Sequence, residues 1–269
     1  MLVSMRSGAH LSTRDPLANA DRLGADVLQL HLSSPRTWRH PVARDDAGDL
    51  RRSGRVVSVH APYLCNPASA DPTVRERTAD MLQATLDAAA TVGASGVVVH
   101  AGSAGVAGDV GDAIARWLDL VSRLHGPVPL WIENTASGRA SVGRHLDSVA
   151  RLFAALRDHQ TAQVPVGACL DTAHAFAADA AVADKAGEWV RRFREATGGI
   201  DLVHVNDSAA PAGSGRDLHA NLGAGMIGLA RLAEMIAAAR APAAVLETPG
   251  DNGRRAQDLE ILRYLVATA

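Results

Sequence analysis

The sequence has 269 residues, a formal charge of −2 and an apolar fraction of 47%. This length fits two small domains or one large barrel, and the apolar fraction is sufficient for a sizeable core. The charge argues against a nucleic-acid binder that relies on basic side chains alone, because such proteins are usually basic.

Short strand-like runs alternate with longer helical segments along the chain. A weak run lies near Ser4–His10, and clearer ones follow at 25–32, 56–63, 96–102, 129–135, 166–174, 201–208 and 243–250. This alternation indicates a parallel sheet, and eight units in this length favour a closed (β/α)8 TIM barrel over an open sheet. We therefore expect residues 1–269 to form one α/β barrel domain, with the Arg- and Asp-rich stretch 43–55 inserted between a strand and a helix.

Helical spacing separates these runs. Ile114, Trp117 and Val121 lie at the i, i+3 and i+7 positions of one helix face. The pairs Asp15-Pro16 and Asp71-Pro72 are typical of helix starts, because aspartate side chains accept from free backbone N–H groups and proline fits the first turn. We expect a helix to begin at each pair.

Six successive strand candidates carry a histidine, an aspartate or a glutamate at the same end. These residues are His60, His100, Glu133, Asp171, His204 and Glu247. Unrelated structural roles would scatter along the strands, whereas the active sites of TIM barrels lie at the C-terminal strand ends. We expect a functional site there. The residues two positions earlier should point into the barrel, and most of them are apolar: Ser58, Val98, Trp131, Cys169, Leu202 and Val245.

The two cysteines are interpreted as packing residues. Cys169 belongs to the inward-facing set, and Cys65 lies just past a strand end. They form no Cys-x-x-Cys motif, so neither a disulfide framework nor a thiolate zinc site follows. A reducing compartment is the default, the N-terminus is too short and polar for a signal peptide, and no apolar run approaches the ~20 residues of a membrane span. We expect a soluble cytoplasmic protein.

Three further donors follow the strand ends, and we place them in loops: His174, Asp217 and His219. With the six strand-end residues they exceed what one ion can use, but with one bridging carboxylate they suit three ions. Nitrogen and oxygen donors without sulfur fit zinc, and also manganese or iron. A concave site with clustered metal ions at its base carries positive charge. Such a site suits a phosphate ester, because the ions activate water and orient the phosphate.

A series of short motifs accompanies these donors. They are "VHAPYLCN", "VVHAGS", "IENTA", "CLDTAHAFAA", "VHVNDS", "GSGRDLHANLGAG" and "LETP". Together they resemble the endonuclease IV family of apurinic/apyrimidinic endonucleases, from about Ser7 to Leu262. The resemblance implies a (β/α)8 barrel with a trinuclear zinc site and a DNA repair activity.

The resemblance also implies a ligand set, with manganese as an alternative to zinc (Zn²⁺) in one or more positions. The first ion is held by His60, His100 and Glu133; Glu133 bridges to a second, held also by Asp171, His204 and Glu247; the third is held by His174, Asp217 and His219. The implied reaction is hydrolysis of the phosphodiester 5′ to an abasic site, leaving a 3′-hydroxyl and a 5′-deoxyribose phosphate. In the implied mechanism a hydroxide between the first two ions would attack phosphorus. Glu133 is the implied catalytic residue because it would hold both of these ions. The family also removes 3′-phosphate and phosphoglycolate blocks.

The implied partner is double-stranded DNA with abasic sites or blocked 3′ ends, bound by a monomer without an obligate protein partner. The loop "SSPRTW" (33–38) resembles the family's DNA-contacting loop, with Arg36 and Ser34 as contacts, and Tyr63 and Leu64 match its other insertion element. Such side chains replace base stacking around an extruded nucleotide. Without the motifs, an ordinary solvated arginine is the better interpretation of Arg36, and packing on the barrel rim explains Tyr63 about equally well. His10 resembles a first-strand histidine of the family that faces substrate or supports the ligands, and a buried core histidine is the alternative.

Four departures from the family's usual residues concern the DNA side rather than the ligands: His31, Ser34, Thr37 and Ala101. Two other functions stay open. A sugar isomerase or epimerase on a xylose-isomerase-like barrel needs one ion, which Glu133, Asp171, His204 and Glu247 alone would hold. A non-catalytic lesion-binding module would use the metals for stability only.

Overall fold

A computed structural model describes residues 5–138, 140–159 and 162–268. Its strands are β1 Arg6–His10, β2 Val27–Leu30, β3 Val56–His60, β4 Gly96–His100, β5 Leu130–Glu133, β6 Val166–Asp171, β7 Leu202–His204, β8 Asp207–Ser208, β9 His219–Ala220 and β10 Ala243–Leu246. β1 to β7 and β10 form a closed barrel of parallel strands, in which β10 pairs with both β7 and β1. The predicted TIM barrel is confirmed. β8 and β9 form a separate antiparallel pair above it.

Helices connect the barrel strands. They are α1 Pro16–Leu23, α2 Ala47–Arg52, α3 Pro72–Val92, α4 Val110–Arg123, α5 Leu146–Asp158, α6 Thr172–Ala178, α7 Val182–Thr197, α8 Leu229–Ala239 and α9 Asn252–Thr268. Asp71 caps α3 by accepting from the backbone N–H of Thr73, as predicted. Asp15 does not cap α1, because its backbone is left-handed with φ 48° and its side chain makes no such bond. The stretch 43–55 contains α2, so it is part of the β2–β3 crossover and not an insertion beside it.

The barrel interior is filled by an apolar layer below the strand ends. It contains Val27, Val98, Trp131, Cys169, Leu202, Ala243 and Val245. Five of the six residues predicted to point inward belong to it, and the sixth, Ser58, is fully buried as well. The indole of Trp131 needs glycine beside it, since a Cβ at Gly96 would lie 2.2 Å from the ring. This packed layer forms the floor on which the strand-end residues stand.

The strand register places the polar ends side by side. In the parallel pairing, His100 is opposite Glu133 and Asp171 is opposite His204. In the part of the chain that the structure describes, no helix has the length and apolarity that a membrane crossing requires.

Candidate metal centre

The strand ends bring the nine predicted donors to one face of the barrel. His60, His100, Glu133, Asp171 and His204 are the last residues of β3 to β7, and Glu247 follows β10 directly. The remaining donors come from the segments above the barrel.

The prediction that His174 and His219 lie in loops was wrong. His174 lies in the first turn of α6, because the Asp171 carboxylate caps that helix by accepting from the His174 N–H at 2.8 Å. His219 begins β9, which pairs with β8. Asp217 lies in the loop before β9 and is 50% exposed. One side chain, Asp171, therefore serves both as a strand-end donor and as the cap that orients the next donor.

The donor atoms form three groups, and within each group they lie within 4.8 Å of one another. The groups are His60, His100 and Glu133; Glu133, Asp171, His204 and Glu247; and Asp171, His174 and His219. The Asp217 carboxylate adjoins the third group, 3.2 Å from Nε2 of His174 and 3.2 Å from Nε2 of His219. Glu133 is shared by two groups, and so is Asp171, which the sequence did not indicate.

Glu133 is the most central of these side chains and is fully buried. Its Oε2 lies 3.2 Å from Nε2 of His60 and 3.3 Å from Nε2 of His100. Its Oε1 lies 2.9 Å from Nδ1 of His204. Burial opposes the charged carboxylate, but the neighbouring His204 and His100 hold the pKa of Glu133 well below its usual range. The carboxylate is thus an anion shared by several imidazoles in a water-poor site.

The imidazoles are oriented by hydrogen bonds on the side that faces away from the cluster. These bonds run from Nδ1 of His60 to the Ala61 carbonyl at 2.8 Å, from Nδ1 of His174 to the Asn134 carbonyl at 2.9 Å, and from Nε2 of His204 to Oε1 of Gln29 at 2.9 Å. An outer N–H donor leaves the inner nitrogen with its lone pair directed at the cluster, which is the arrangement of metal-ligating histidines.

A buried nitrogen without a hydrogen bond gives a second indication of a cation. Nε2 of His219 is buried and lies 3.2 Å from the Asp217 carboxylate, yet the geometry forms no hydrogen bond within the described residues. Buried polar atoms normally have a partner, and an ion is one explanation for an orphaned atom. The donor chemistry and this geometry both fit bound divalent cations of the zinc type.

Buried amides hold the carboxylates in place. Nδ2 of Asn206 donates to Oδ2 of Asp171 at 2.8 Å, while its Oδ1 accepts from the backbone N–H of Glu247 at 2.9 Å. Asp207 is buried beside it and accepts from the backbone N–H groups of Gly223 and Ile227, which holds the loop after β9. Asn206 therefore links two donors, whereas Asp207 has a structural role.

His10 and His31 lie next to the groups but outside them. Nδ1 of His10 is 3.3 Å from Oε1 of Glu247, and the ring centroids of His10 and His31 are 4.5 Å apart. Burial lowers the pKa of both rings, that of His31 to about 3. His10 is thus a neutral ring that contacts a carboxylate of the second group.

Among the residues of the predicted DNA contact, Tyr63 stands beside the cluster, with its ring centroid 5.6 Å from that of His60. Ser34 lines a cavity together with His10 and His31. Arg36 and Ser34 are exposed, Tyr63 is 51% exposed and Leu64 is 36% exposed. The two loops are joined, since the Tyr63 N–H donates to the Pro35 carbonyl at 3.0 Å. Tyr63 lines a cavity of about 400 Å³ together with six of the nine donors: His60, His100, His174, Asp217, His219 and Glu247.

Comparison with known proteins agrees with this geometry. Residues 17–265 match the family described as xylose isomerase-like TIM barrel. A protein of Mycobacterium marinum, described as probable endonuclease 4, is 43% identical over 96% of this chain and 98% of its own length. The chain belongs to the endonuclease IV family.

Solved structures support the family assignment at the level of the backbone. The endonuclease IV structure from Thermus thermophilus is 31% identical and covers 98% of this chain and 100% of its own, with a TM-score of 0.81. A D-tagatose 3-epimerase-like protein is 18% identical over 98% of each chain with a TM-score of 0.75, which shows a shared fold alone.

Two polar residues of this endonuclease IV family member were missed in the sequence. Gln29 is fully buried in β2 and contacts His204 and Glu247. Arg255, in the first turn of α9, lines a cavity of about 220 Å³ that reaches Glu247 and His219. A polar residue in the apolar strand Val-Leu-Gln-Leu was the available signal for Gln29. No sequence signal marked Arg255, because its neighbours depend on how the last helix packs.

Proposed function

We propose that this member of the endonuclease IV family is a metal-dependent DNA repair endonuclease. It hydrolyses the phosphodiester 5′ to an abasic site, giving a 3′-hydroxyl and a 5′-deoxyribose phosphate, and removes 3′-phosphate and phosphoglycolate blocks. The observation that carries the proposal is the convergence of eight donors in three adjoining groups, with Asp217 beside the third group and six of the nine residues lining one cavity. In this proposal residues 1–269 form one domain that acts as a cytoplasmic monomer.

The proposed ligand sets follow the first two groups of donors, and in the third group the adjoining Asp217 takes the place of Asp171. Zinc ions would be held by His60, His100 and Glu133, by Glu133 with Asp171, His204 and Glu247, and by His174, Asp217 and His219. Bound there, clustered ions supply an activated water and positive charge for the leaving oxygen of a phosphate ester. Glu133 joins two of the sets through its two oxygens, so its charge bears on both.

The residues around the cavity fit an extruded nucleotide. Tyr63 and Leu64 expose apolar surface beside the cluster, which is the chemistry needed to fill a gap in a base stack. Arg36 is exposed on the adjoining loop and makes no ion pair within the described residues, so its charge is free for a phosphate. Proximity of these loops to the donors allows one DNA strand to reach both.

The deciding experiment uses an end-labelled duplex with a single tetrahydrofuran site. This analogue lacks the aldehyde that β-elimination requires, so cutting must be hydrolytic. We expect scission 5′ to the analogue with a 3′-hydroxyl product, loss of scission after prolonged chelation, and recovery with zinc. A second duplex with a 3′-phosphoglycolate end tests the trimming activity. A folded, metal-loaded sample that leaves the tetrahydrofuran duplex intact would reject the proposal.

Metal content separates the proposal from its alternatives. Elemental analysis should approach three ions per chain, whereas a single ion would support the sugar epimerase. Tight binding of the duplex without scission at full metal loading would support a lesion-binding module.

The DNA contact is tested separately with Arg36→Gln, against Arg192→Gln on the exposed face of α7 as the matched control. Loss of one phosphate contact should reduce the slope of log affinity against log salt by about 1 for Arg36→Gln. The slope of the control should equal that of the wild type. Equal slopes for both variants would remove Arg36 from the interface.

A further inference from the structure

Gln29 is a polar residue in a strand whose other three residues, Val27, Leu28 and Leu30, are apolar. It lies in β2, whose four residues are all buried, and its own exposure is 0%. A buried amide without partners costs about 1–3 kcal/mol, so such a residue must be well satisfied or serve a purpose. Gln29 does not belong to any of the three donor groups.

All hydrogen-bonding positions of the Gln29 amide are in use. Nε2 lies 2.6 Å from Oε1 of Glu247 and 3.1 Å from Nδ1 of His10. Oε1 lies 2.9 Å from Nε2 of His204 and 3.5 Å from Oγ of Ser58. The orientation of the amide follows from these contacts, because only its NH2 group can approach a carboxylate oxygen this closely. The amide oxygen is therefore directed at His204.

This orientation decides which nitrogen of His204 faces the cluster. With the Nε2 proton donated to Gln29, Nδ1 is the nitrogen directed at the donor group, and it lies 2.9 Å from its hydrogen-bond partner Glu133, 3.3 Å from Glu247 and 4.0 Å from Asp171. The same amide donates to Glu247, the other residue that it contacts in this group. We propose that Gln29 is a positioning residue that selects the tautomer of His204 and orients Glu247, and so prepares their group for a divalent cation. This inference rests on the proposed function, since it concerns one of the ion sites named there.

The arrangement also connects strands that are not paired with each other. β2 pairs with β1 and β3, whereas His204 and Glu247 stand at the ends of β7 and β10, which lie three and two positions away from β2 around the barrel. The amide reaches them across the interior. Outer partners of this kind typically change metal affinity by about 10–100-fold when they are removed.

The test replaces Gln29 with methionine, which has a similar length and no amide. In Gln29→Met, zinc affinity measured by chelator competition should fall about 10–100-fold at one site, with the other sites unchanged. Ser58→Ala is the matched control, because Ser58 is equally buried and its contacts to the amide oxygen and the Leu28 carbonyl are long, at 3.5 and 3.4 Å.

Nitrogen-15 NMR of the metal-free protein, titrated until His204 is neutral, reads the tautomer directly, because a bound zinc ion would itself fix the position of the proton. His204 should carry its proton on Nε2 in the wild type and in Gln29→Glu, where an acceptor oxygen remains, and should lose this preference in Gln29→Met. We expect Gln29→Glu to keep the tautomer of His204 but not the zinc affinity, because its carboxylate would repel Glu247. An Nδ1 proton on His204 in the wild type, or unchanged affinity in folded Gln29→Met, would overturn the inference. Absence of ion uptake or scission by the wild type would instead count against the proposed function.

A separate observation concerns Arg255. Its Nε is buried, and its side chain has no hydrogen bond or ion pair within the described ranges 5–138, 140–159 and 162–268. It lines the cavity of about 220 Å³ with His10, Tyr63, His219 and Glu247. A guanidinium is a planar fork that matches phosphate, and an unpaired one beside the proposed ion sites is placed for an anion. We infer that Arg255 binds a phosphate of the DNA strand that enters the cluster.

Adjacent arginines make this inference testable, and it too rests on the proposed function. Arg254 is exposed and donates to Oε1 of Gln257 at 3.1 Å, so Arg254→Gln is the matched control for Arg255→Gln. Values of kcat/KM on the tetrahydrofuran duplex, measured from about 50 to 200 mM salt, should show a shallower salt slope by about 1 for Arg255→Gln only. Arg255→Lys should restore the slope in part. Equal slopes in folded Arg255→Gln and the control would overturn the inference, whereas an inactive wild type would count against the proposed function.

Discussion

Replacing Glu133 by glutamine removes one negative charge from the centre of the cluster with little change in shape. In metal-free protein the pKa values of His204 and His60 are raised, and unit charges separated by the 2.9 and 3.2 Å between their nitrogens and the oxygens of Glu133 interact by roughly 5–6 kcal/mol at an effective dielectric constant of about 20. Desolvation offsets part of this energy, and loss of one partner of a buried pair costs about 3–5 kcal/mol in practice. Because about 1.4 kcal/mol is a factor of ten, ion affinity at the groups that share Glu133 should fall between a hundredfold and a few thousandfold.

The assay compares ion content after dialysis against buffered zinc with cutting of the tetrahydrofuran duplex. Glu195→Gln makes the same chemical change on the exposed surface of α7 and serves as the control. We expect Glu133→Gln to retain fewer ions and to lose at least about 10²-fold in kcat/KM, while the control matches the wild type. Wild-type ion content together with wild-type cutting in Glu133→Gln would refute the view that this carboxylate joins two ion sites.

Three further predictions concern protons, thiols and packing. Burial opposes charge on His219, but Asp171 and Asp217 raise its pKa to about 9. In metal-free protein, the contribution of this protonated ring to the free energy of unfolding should be fully present below about pH 6.5 and lost as the pH rises through about 9. Zinc uptake at pH 7 should release protons, which calorimetry in buffers of different ionisation heat would measure. Burial raises the pKa of the Cys65 and Cys169 thiols to about 12, so iodoacetamide at pH 8 should label neither until the chain unfolds; fast labelling of the folded protein would contradict their packing role. The buried Trp117 donates from Nε1 to the Ala101 carbonyl at 2.8 Å, so Trp117→Phe should lower the free energy of unfolding by about 1–3 kcal/mol in urea titrations, and an unchanged value would show that this hydrogen bond contributes little.

The sequence by itself was sufficient for the barrel and for the convergence of the candidate donors at one end of it. Strand-like runs alternate with helical spacing, and in a parallel barrel every strand end with the same direction meets on one face. A histidine or carboxylate that ends a run, as His60 and Glu133 do, is therefore brought to the site by secondary structure alone. The inward direction of Trp131 and Cys169 followed in the same way from the two-residue period of a strand.

The contacts between these donors were decided only by the tertiary structure. Gln29 meets His204 and Glu247 across the barrel, 175 and 218 residues away in sequence, and no local pattern encodes that approach. The sharing of Asp171 between two groups depends on where α6 starts relative to the strand ends. The unpaired position of Arg255 depends on how α9 packs after the barrel closes. Such distances follow from barrel closure and strand stagger, which involve every strand at once. They therefore cannot be predicted from the sequence of any single segment.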